Sequence, residues 1–538
     1  MRLSPLPVGI QDFAQLREGG YAYVDKTEMV HQLVTTSPAV FLSRPRRFGK
    51  SLLVSVLKEL YEGNEELFRG LWIHEYWNWN KRRPVVRISF GAGRFQERGG
   101  FKSVAMEQLI QQSQFHQVET GDLPPELALS RMLHELSRRG SRPVVLIDEY
   151  DKPILQCLEG MKQSVPTNSA ALEAREEELS VLEDNRQQLR AFFSCLKDAS
   201  PEFLLLTGVS RLAKASVFSE LNHLKDITWR QDYATLCGIT QEELESNFVG
   251  HLERMAAEKR LSNLALLDRL RRDYNGFRFA PNASTVYNPF STCRCLDDRE
   301  FGSYWTETGT PEFLVRLMRG TNTELSDVEG VLLPTSALAS LDPDRPRVLP
   351  LLLQTGYLTI VDWAEEQYRL GFPNREVRTA FVEHLLQVVH GKSAEEIAPR
   401  ARALAQALSK NDLERFFREM KRVFTGIAYL LDDAHEKRYH GLFQAICILA
   451  FSPPGVVLAE VPNSLGRSDL VLDMPDATWI FEFKRDTDTA EALRQIADKE
   501  YETAWTERTL PDGSPKPVHC VAVTFGTPER NIVAWEAK

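Results

Sequence analysis

The segment Arg44-Pro45-Arg46-Arg47-Phe48-Gly49-Lys50-Ser51 constrains this chain more than any other. It follows a short apolar run, AVFLS, and precedes LLVSVLKEL, whose apolar spacing suits a helix. A Gly-Lys-Ser triplet between strand and helix is the end of a Walker A loop, which requires a buried parallel strand with a helix packed on it. Backbone N–H groups at such a helix start attract phosphate, and the helix macrodipole adds to that attraction. In this reading Lys50 reaches the β- and γ-phosphates of ATP, Ser51 ligates magnesium, and Arg47, Phe48, Gly49 and Leu52 line the phosphate loop. Arg44 stands where the full pattern has glycine, so the loop must enter its turn differently. The plain alternative is a helix start with a lysine in its first turn.

Two further strand ends belong with the loop. Val144 to Ile147 is an apolar run ending in Asp148 and Glu149, a Walker B pattern. There Asp148 holds magnesium and Glu149 polarises the attacking water. Paired acids at the end of a buried strand need a cation to offset their desolvation, although a strand meeting solvent would also end in acids. Phe203 to Leu206 runs into Thr207-Gly208-Val209-Ser210-Arg211. Thr207 or Ser210 could sense the γ-phosphate and Arg211 could stabilise its developing charge; a simple strand-end turn is the alternative. Gly91-Ala92-Gly93 imitates a dinucleotide fingerprint, but Gln96 replaces the third glycine.

At 538 residues the chain needs several cores. The alternation divides it into three zones: a parallel α/β region over 1–235, a mainly helical middle over 236–430, and a second α/β region over 431–538. The middle opens on a Thr240/Glu243 capping box. The formal charge of −10 excludes a global basic field, so any nucleic-acid binding must come from local patches such as Arg44–Arg47 or Lys81–Arg83. Seven scattered cysteines are no disulfide framework, and Cys293 with Cys295 lacks the partners of a zinc site. With no window long and apolar enough for a membrane span and no apolar leader at Met1, a cytoplasmic protein with no membrane partner is expected.

The last zone carries a second constellation. Trp479 to Lys484 alternates, setting Trp479, Phe481 and Phe483 on one face and Ile480, Glu482 and Lys484 on the other. One face is expected to pack on a core and the other to carry the acid and the amine. Ser468 to Asp473 alternates likewise, and a turn over Met474–Thr478 folds Asp469 to within about one residue of Glu482. Asp469, Glu482 and Lys484 then form a D…E-x-K cluster that can bind one or two magnesium ions for phosphodiester cleavage, with Lys484 orienting the water. A solvated hairpin face with an exposed ion pair is the blander account. Glu436 and His440 lie one helical turn apart, and Glu460 and Arg467 lie near Asp469. A following helix, expected from about Thr489 to Trp505, presents Gln495 and leads to Tyr501.

The segments YAYVDKTEMV, FLSRPRRFGKSLL, VVLIDEYDKP, YATLCGITQEEL and LLLQTGYLTI resemble the bacterial AAA-ATPase-like family. The tail RYHGLFQAI…AEVPNSLGRSDLVL…WIFEFKRD…EALRQIADKEY resembles the PD-(D/E)XK nuclease-like domain that ends its members. The resemblance implies a P-loop ATPase core, a helical middle and a restriction-endonuclease-like fold. By motif, Arg47, Gly49, Lys50, Ser51, Asp148 and Glu149 match its ATP site, where the arginine-rich loop is usual. Glu436, Asp469, Glu482, Lys484 and Gln495 match the nuclease motifs. Tyr501 departs from the tighter Gln-x-x-x-Tyr spacing of some related nucleases, where Lys499 would stand.

Together these readings describe an ATP-controlled, magnesium-dependent nuclease acting on nucleic acid, DNA ahead of RNA. By analogy such a build suits defence or mobile-element biology. A nucleotide-dependent switch that binds nucleic acid or a protein without cutting is the rival. Assembly as a homo-oligomer is compatible with either, though no hexamer-specific signal is present.

Overall fold

The computed structural model describes residues 3–161, 169–212, 221, 223–305, 312–321, 323–338, 341–390, 394–425, 436–452 and 455–538. The chain forms two compact units, Met1–Gly309 with Leu332–Glu376, and Thr310–Val331 with Val377–Lys538. Residues 236–430 contribute to both units.

The first unit is built on a parallel sheet of β1 (Ala39–Ser43), β2 (Val85–Ser89), β3 (Val144–Asp148), β4 (Phe203–Gly208) and β5 (Lys225–Asp226), in the order β2-β3-β4-β1-β5. Strands β1, β3 and β4 are buried along their whole length, as their unbroken apolar runs require in a sheet covered on both faces. Because β4 lies between β1 and β3, the carboxyl ends of all three open at one edge of the sheet. The Thr240/Glu243 capping box forms as expected and starts the helix Gln241–Asn247.

The middle also holds a small antiparallel sheet of β6 (Leu332–Pro334), β7 (Thr359–Ala364) and β8 (Gln367–Gly371). The segment LLLQTGYLTI lies in the zone expected to be mainly helical, but the helix Val348–Thr355 stops at Gly356, whose φ of +87° ends it before the β-branched pair Thr359-Ile360.

The second unit centres on β9 (Val456–Pro462), β10 (Arg467–Asp473), β11 (Thr478–Arg485), β12 (Val518–Gly526) and β13 (Asn531–Ala537), ordered β13-β12-β11-β10-β9. Only β11 and β12 pair in parallel. Alternation predicts one covered face for the β10–β11 hairpin, yet both faces are covered. Phe481 and Phe483 pack against Phe416 and Phe443 from helices Leu413–Thr425 and Glu436–Phe451. Val471 and Ile480 pack against Ile496, Tyr501 and Trp505 on the opposite side. Glu482 is therefore in a largely dry environment. The helix expected to reach Trp505 ends at Asp498, since Glu500 turns to φ +50°, and a separate short helix covers Thr503–Thr506. Among the described residues no helix is long and apolar enough to cross a membrane.

Candidate functional site

In the first unit the loop after β1 is held from below by Arg44. Its guanidinium is 1% exposed and donates to the carbonyls of Ser43, Thr228 and Tyr233 at 2.8–2.9 Å. It also lies 4.2 Å over the ring of Phe279. Burial lowers its pKa to about 10. The arginine that replaces glycine is thus the anchor of the loop. Arg46 pairs with Glu159, and Arg47 lies over Phe290. Phe48 is buried between Phe277 and Phe279. The chain then turns through Gly49 at φ +87°, a left-handed conformation in which a side chain would be strained.

Lys50 opens the helix Lys50–Glu62 with Ser51 and Leu52 in its first turn. Its ammonium donates to the carbonyls of Arg44 and Pro45 at 3.0 and 2.9 Å. Burial pulls its pKa below the ordinary value, while the charges of Asp148, Asp151 and Glu149 act the other way. The lysine and the acids after β3 therefore share one low-dielectric space. Asp148 is buried, and one of its carboxylate oxygens accepts the Glu149 N–H at 3.0 Å. Glu149 takes φ +52°, and burial followed by the charge of Asp148 raises its pKa.

Asp151, which the motif reading passed over, ties the site together. Its Oδ2 accepts from the N–H groups of Val209 and Ser210 and from the Ser210 hydroxyl at 2.7 Å. Tyr150 donates its hydroxyl to the Ser210 carbonyl. The second aspartate of D-E-Y-D, set three residues beyond the first, was the available signal. Of the two sensor candidates, Ser210 is committed to Asp151, whereas the buried Thr207 hydroxyl has no partner among the described residues. Arg211 is paired with Asp226 on β5, beyond β1 in the sheet, and the structure brings it to that carboxylate. A mostly apolar cavity of about 110 Å³ opens beside Gly49 and Leu52, walled by Tyr23, Val24, Leu236 and Ile239.

In the second unit β10 and β11 pair Leu470 with Phe481, and one step further along Asp469 faces Glu482. The Phe483 N–H donates to Asp469 Oδ2 at 2.7 Å. Glu482 is 1% exposed, and its Oε2 has no partner among the described residues. Lys484 bridges Glu482 at 3.2 Å and Gln495 Oε1 at 2.8 Å, and Gln495 donates to the Tyr501 hydroxyl at 3.3 Å. Tyr501 joins the relay despite its spacing because the chain turns back after Asp498. A Cβ on Gly466 would stand 3.0 Å from that hydroxyl, so the ring packs closely against this glycine. Burial, then the charge of Glu482, raises Asp469 to a pKa of about 7; Glu482 is raised by burial also.

His440 packs on Phe483 at 4.6 Å, and burial followed by the charge of Lys484 lowers its pKa to about 4. Glu436 begins the same helix, but its side chain lies outside the described residues. Among the described residues no three His, Cys, Asp or Glu side chains form a ready-made metal cage. A buried carboxylate with an unpartnered oxygen beside the half-buried Asp469 nevertheless suits a hard cation such as magnesium, with the Phe483 carbonyl available as a further ligand.

A parallel sheet with Gly-Lys-Ser after one strand and paired acids after another defines a P-loop unit, and the second unit carries the D…E-x-K arrangement of a nuclease fold. Residues 7–218 match the family model described as Predicted AAA-ATPase, and residues 434–535 match the PD-(D/E)XK nuclease superfamily. A protein of Azotobacter chroococcum mcd 1, described as an uncharacterized protein in the vnfD 5' region, is 34% identical over 553 residues, covering 99% of each chain. The chain belongs to the AAA-ATPase-like family and ends in a PD-(D/E)XK nuclease-superfamily domain. No solved structure matches it.

Proposed function

We propose that the protein binds and hydrolyses ATP in its first unit and that the nucleotide state governs magnesium-dependent cleavage of nucleic-acid phosphodiesters by its second. The observation that carries the reading is the half-buried Asp469 against the buried Glu482, with an unpartnered Glu482 oxygen and the Lys484 ammonium beside it. Such a pair is costly in a dry site, and a divalent cation is the natural offset. Magnesium held by Asp469 and Glu482 would supply an activated water and charge stabilisation at the phosphodiester. Lys484, held in place by Gln495 and Tyr501, would orient that water and donate toward the phosphate.

In the first unit Gly49, Lys50 and Ser51 would cradle the phosphates of ATP, with Ser51 and Asp148 as magnesium ligands. Lys50 would exchange its loop carbonyls for phosphate oxygens. Glu149, with its raised pKa, suits the residue that polarises the attacking water, and the idle Thr207 hydroxyl suits a contact to the γ-phosphate better than the engaged Ser210. The apolar cavity beside Leu52 suits a nucleobase. Arg211 would need to leave Asp226 to act on the phosphate.

The test is cleavage of a mixed DNA and RNA panel by the full chain in magnesium or manganese. Cutting that disappears in Glu482→Ala supports the reading. No cutting in any nucleotide state, with ATP turnover intact, would favour a binding switch instead.

A further inference from the structure

We propose that the amino edge of the first unit's parallel sheet binds single-stranded nucleic acid, with phosphates along Lys81, Arg82, Arg83 and Arg142 and a base stacked on Tyr76. The inference goes beyond the nuclease reading, because the site lies in the first unit and binds without cutting.

The strand ladder sets out the charge. β2 and β3 pair Val85 with Val144, and β3 and β4 pair Val144 with Phe203, so the residues entering these strands line one edge. Arg83 stands just before β2, Arg142 just before β3 and Glu202 just before β4. Glu202 pairs with Lys81 at 3.0 Å and with Arg142 at 2.9 Å, and Arg83 lies 3.6 Å away. Three cations thus share one carboxylate, which leaves an excess of positive charge. Arg82 is exposed and has no carboxylate partner among the described residues, and its stem lies over Gly63. Arg138 and Arg139, at the end of the helix Pro125–Arg138, add to the same edge, where Glu135 pairs with Arg138. In a chain of formal charge −10, such a concentration of exposed arginine and lysine selects a polyanion. ATP is not that anion, since the Gly-Lys-Ser loop follows the opposite, carboxyl end of β1.

An aromatic feature identifies the polyanion. The chain runs from Trp72 through Tyr76, Trp77 and Trp79 directly into Lys81. Trp77 packs edge-on against Tyr61 at 5.4 Å, and Tyr61 stacks on Phe203, the neighbour of Glu202, at 5.9 Å. The Arg83 N–H donates to the Tyr61 carbonyl at 2.7 Å, so the aromatic segment is fastened to the basic edge. Trp79 is likewise spent on packing, against Phe68 at 5.2 Å. Tyr76 is not. Its ring is 59% exposed and lies flat on Trp72 at 4.0 Å, one face held and the other open to solvent. An aromatic face presented beside a basic row is a platform for an unpaired base, a contact that the stacked interior of a duplex withholds. A protein partner would need apolar surface around the ring, whereas Glu75, Asn78 and Asn80 beside it are all exposed.

The experiment is fluorescence anisotropy of a labelled oligothymidylate, alone or as its duplex, titrated with the full chain in EDTA without nucleotide. Wild type should bind the single strand more tightly than the duplex. Tyr76→Ala should weaken single-strand binding about tenfold with its salt dependence unchanged, and Tyr76→Trp should retain wild-type affinity. Arg82→Gln, which keeps the stem and breaks no ion pair, should lower the slope of log affinity against log salt by about 0.7. Both side chains are exposed, so these variants should melt as wild type does. Duplex bound as tightly as the single strand, Tyr76→Ala without effect, or a salt slope untouched by Arg82→Gln would each overturn the site while leaving the nuclease reading standing. A chain that cuts nothing in magnesium, yet loses strand binding in Tyr76→Ala, would overturn the nuclease reading alone and support this one.

Discussion

At the scale of single residues, protonation decides what the carboxylate pair can hold. Burial, then the charge of Glu482, raises the Asp469 pKa to about 7, so a cation binding below that pH must displace a proton. Divalent-cation affinity should therefore fall about tenfold per pH unit below 7 and level off above it, as calorimetry would measure. The same shift makes the metal-free fold less stable as pH rises. A carboxyl whose folded pKa lies above its unfolded value stabilises the fold below the unfolded pKa, and that contribution is lost on passing through the folded one. The metal-free melting temperature should therefore drop between about pH 4 and pH 7, and Asp469→Asn should flatten the drop. A melting temperature that rises over this window in metal-free wild type would contradict the assignment. Thr207 offers a second residue-scale test. Removing an unsatisfied buried hydroxyl with an isosteric methyl should leave stability within about 1 kcal/mol, because no partner is orphaned. If Thr207 touches the γ-phosphate, Thr207→Val should still lower ATP turnover by about tenfold or more. Unchanged turnover would leave Thr207 as a packing residue.

At the scale of elements, the two motif strands and their loops were legible in the sequence because their chemistry is local. An apolar run ending in Gly-Lys-Ser, or in Asp148-Glu149, carries its context with it. What was not legible depends on partners distant along the chain. The insertion of β4 between β1 and β3 follows from packing of the whole sheet, and no local pattern encodes it. Arg44 reads as a departure from the phosphate-loop pattern, yet its guanidinium bonds to Thr228 and Tyr233, far along the sequence. Tyr501 reads as mis-spaced for a helical motif because the break at Glu500 is invisible to a helical count. The second covered face of β11 was hidden for the same reason, since Ile496, Tyr501 and Trp505, which cover it, come from later elements. The Arg44 anchor yields its own prediction. Arg44→Ala would strand three buried carbonyls and should lower stability by about 3 kcal/mol or more, seen as a reduced denaturant midpoint. A loss below about 1 kcal/mol would mean that the loop is held by other contacts.

At the scale of the whole molecule, the nuclease-like unit is larger than its motif. Phe417 stacks on Trp535 at 4.7 Å and Phe424 lies 5.5 Å from Phe525, so the helix Leu413–Thr425 covers β12 and β13. Glu324 and Asp327, from residues 310–331, pair with Arg438 and Lys437. A fragment beginning at residue 434 would strip that helix and expose aromatic surface. It should bind a hydrophobic dye and lack a cooperative melt, whereas residues 377–538 supplied with residues 310–331 should fold. A cooperative melt of the shorter fragment would show that the helix is dispensable. The second unit is discontinuous in sequence, so the chain passes between the two units more than once.

If ATP occupancy controls phosphodiester cleavage, the cutting rate must depend on the nucleotide bound. The rate of cutting of end-labelled DNA in magnesium should be followed with ATP, with a non-hydrolysable analogue and without nucleotide. Wild type, Lys50→Ala and Glu482→Ala should be run in parallel. The account predicts a wild-type rate that changes with nucleotide, a Lys50→Ala rate that ignores it, and no cutting by Glu482→Ala. Cutting by wild type at one rate in every nucleotide state, or cutting that persists in Glu482→Ala, would contradict it.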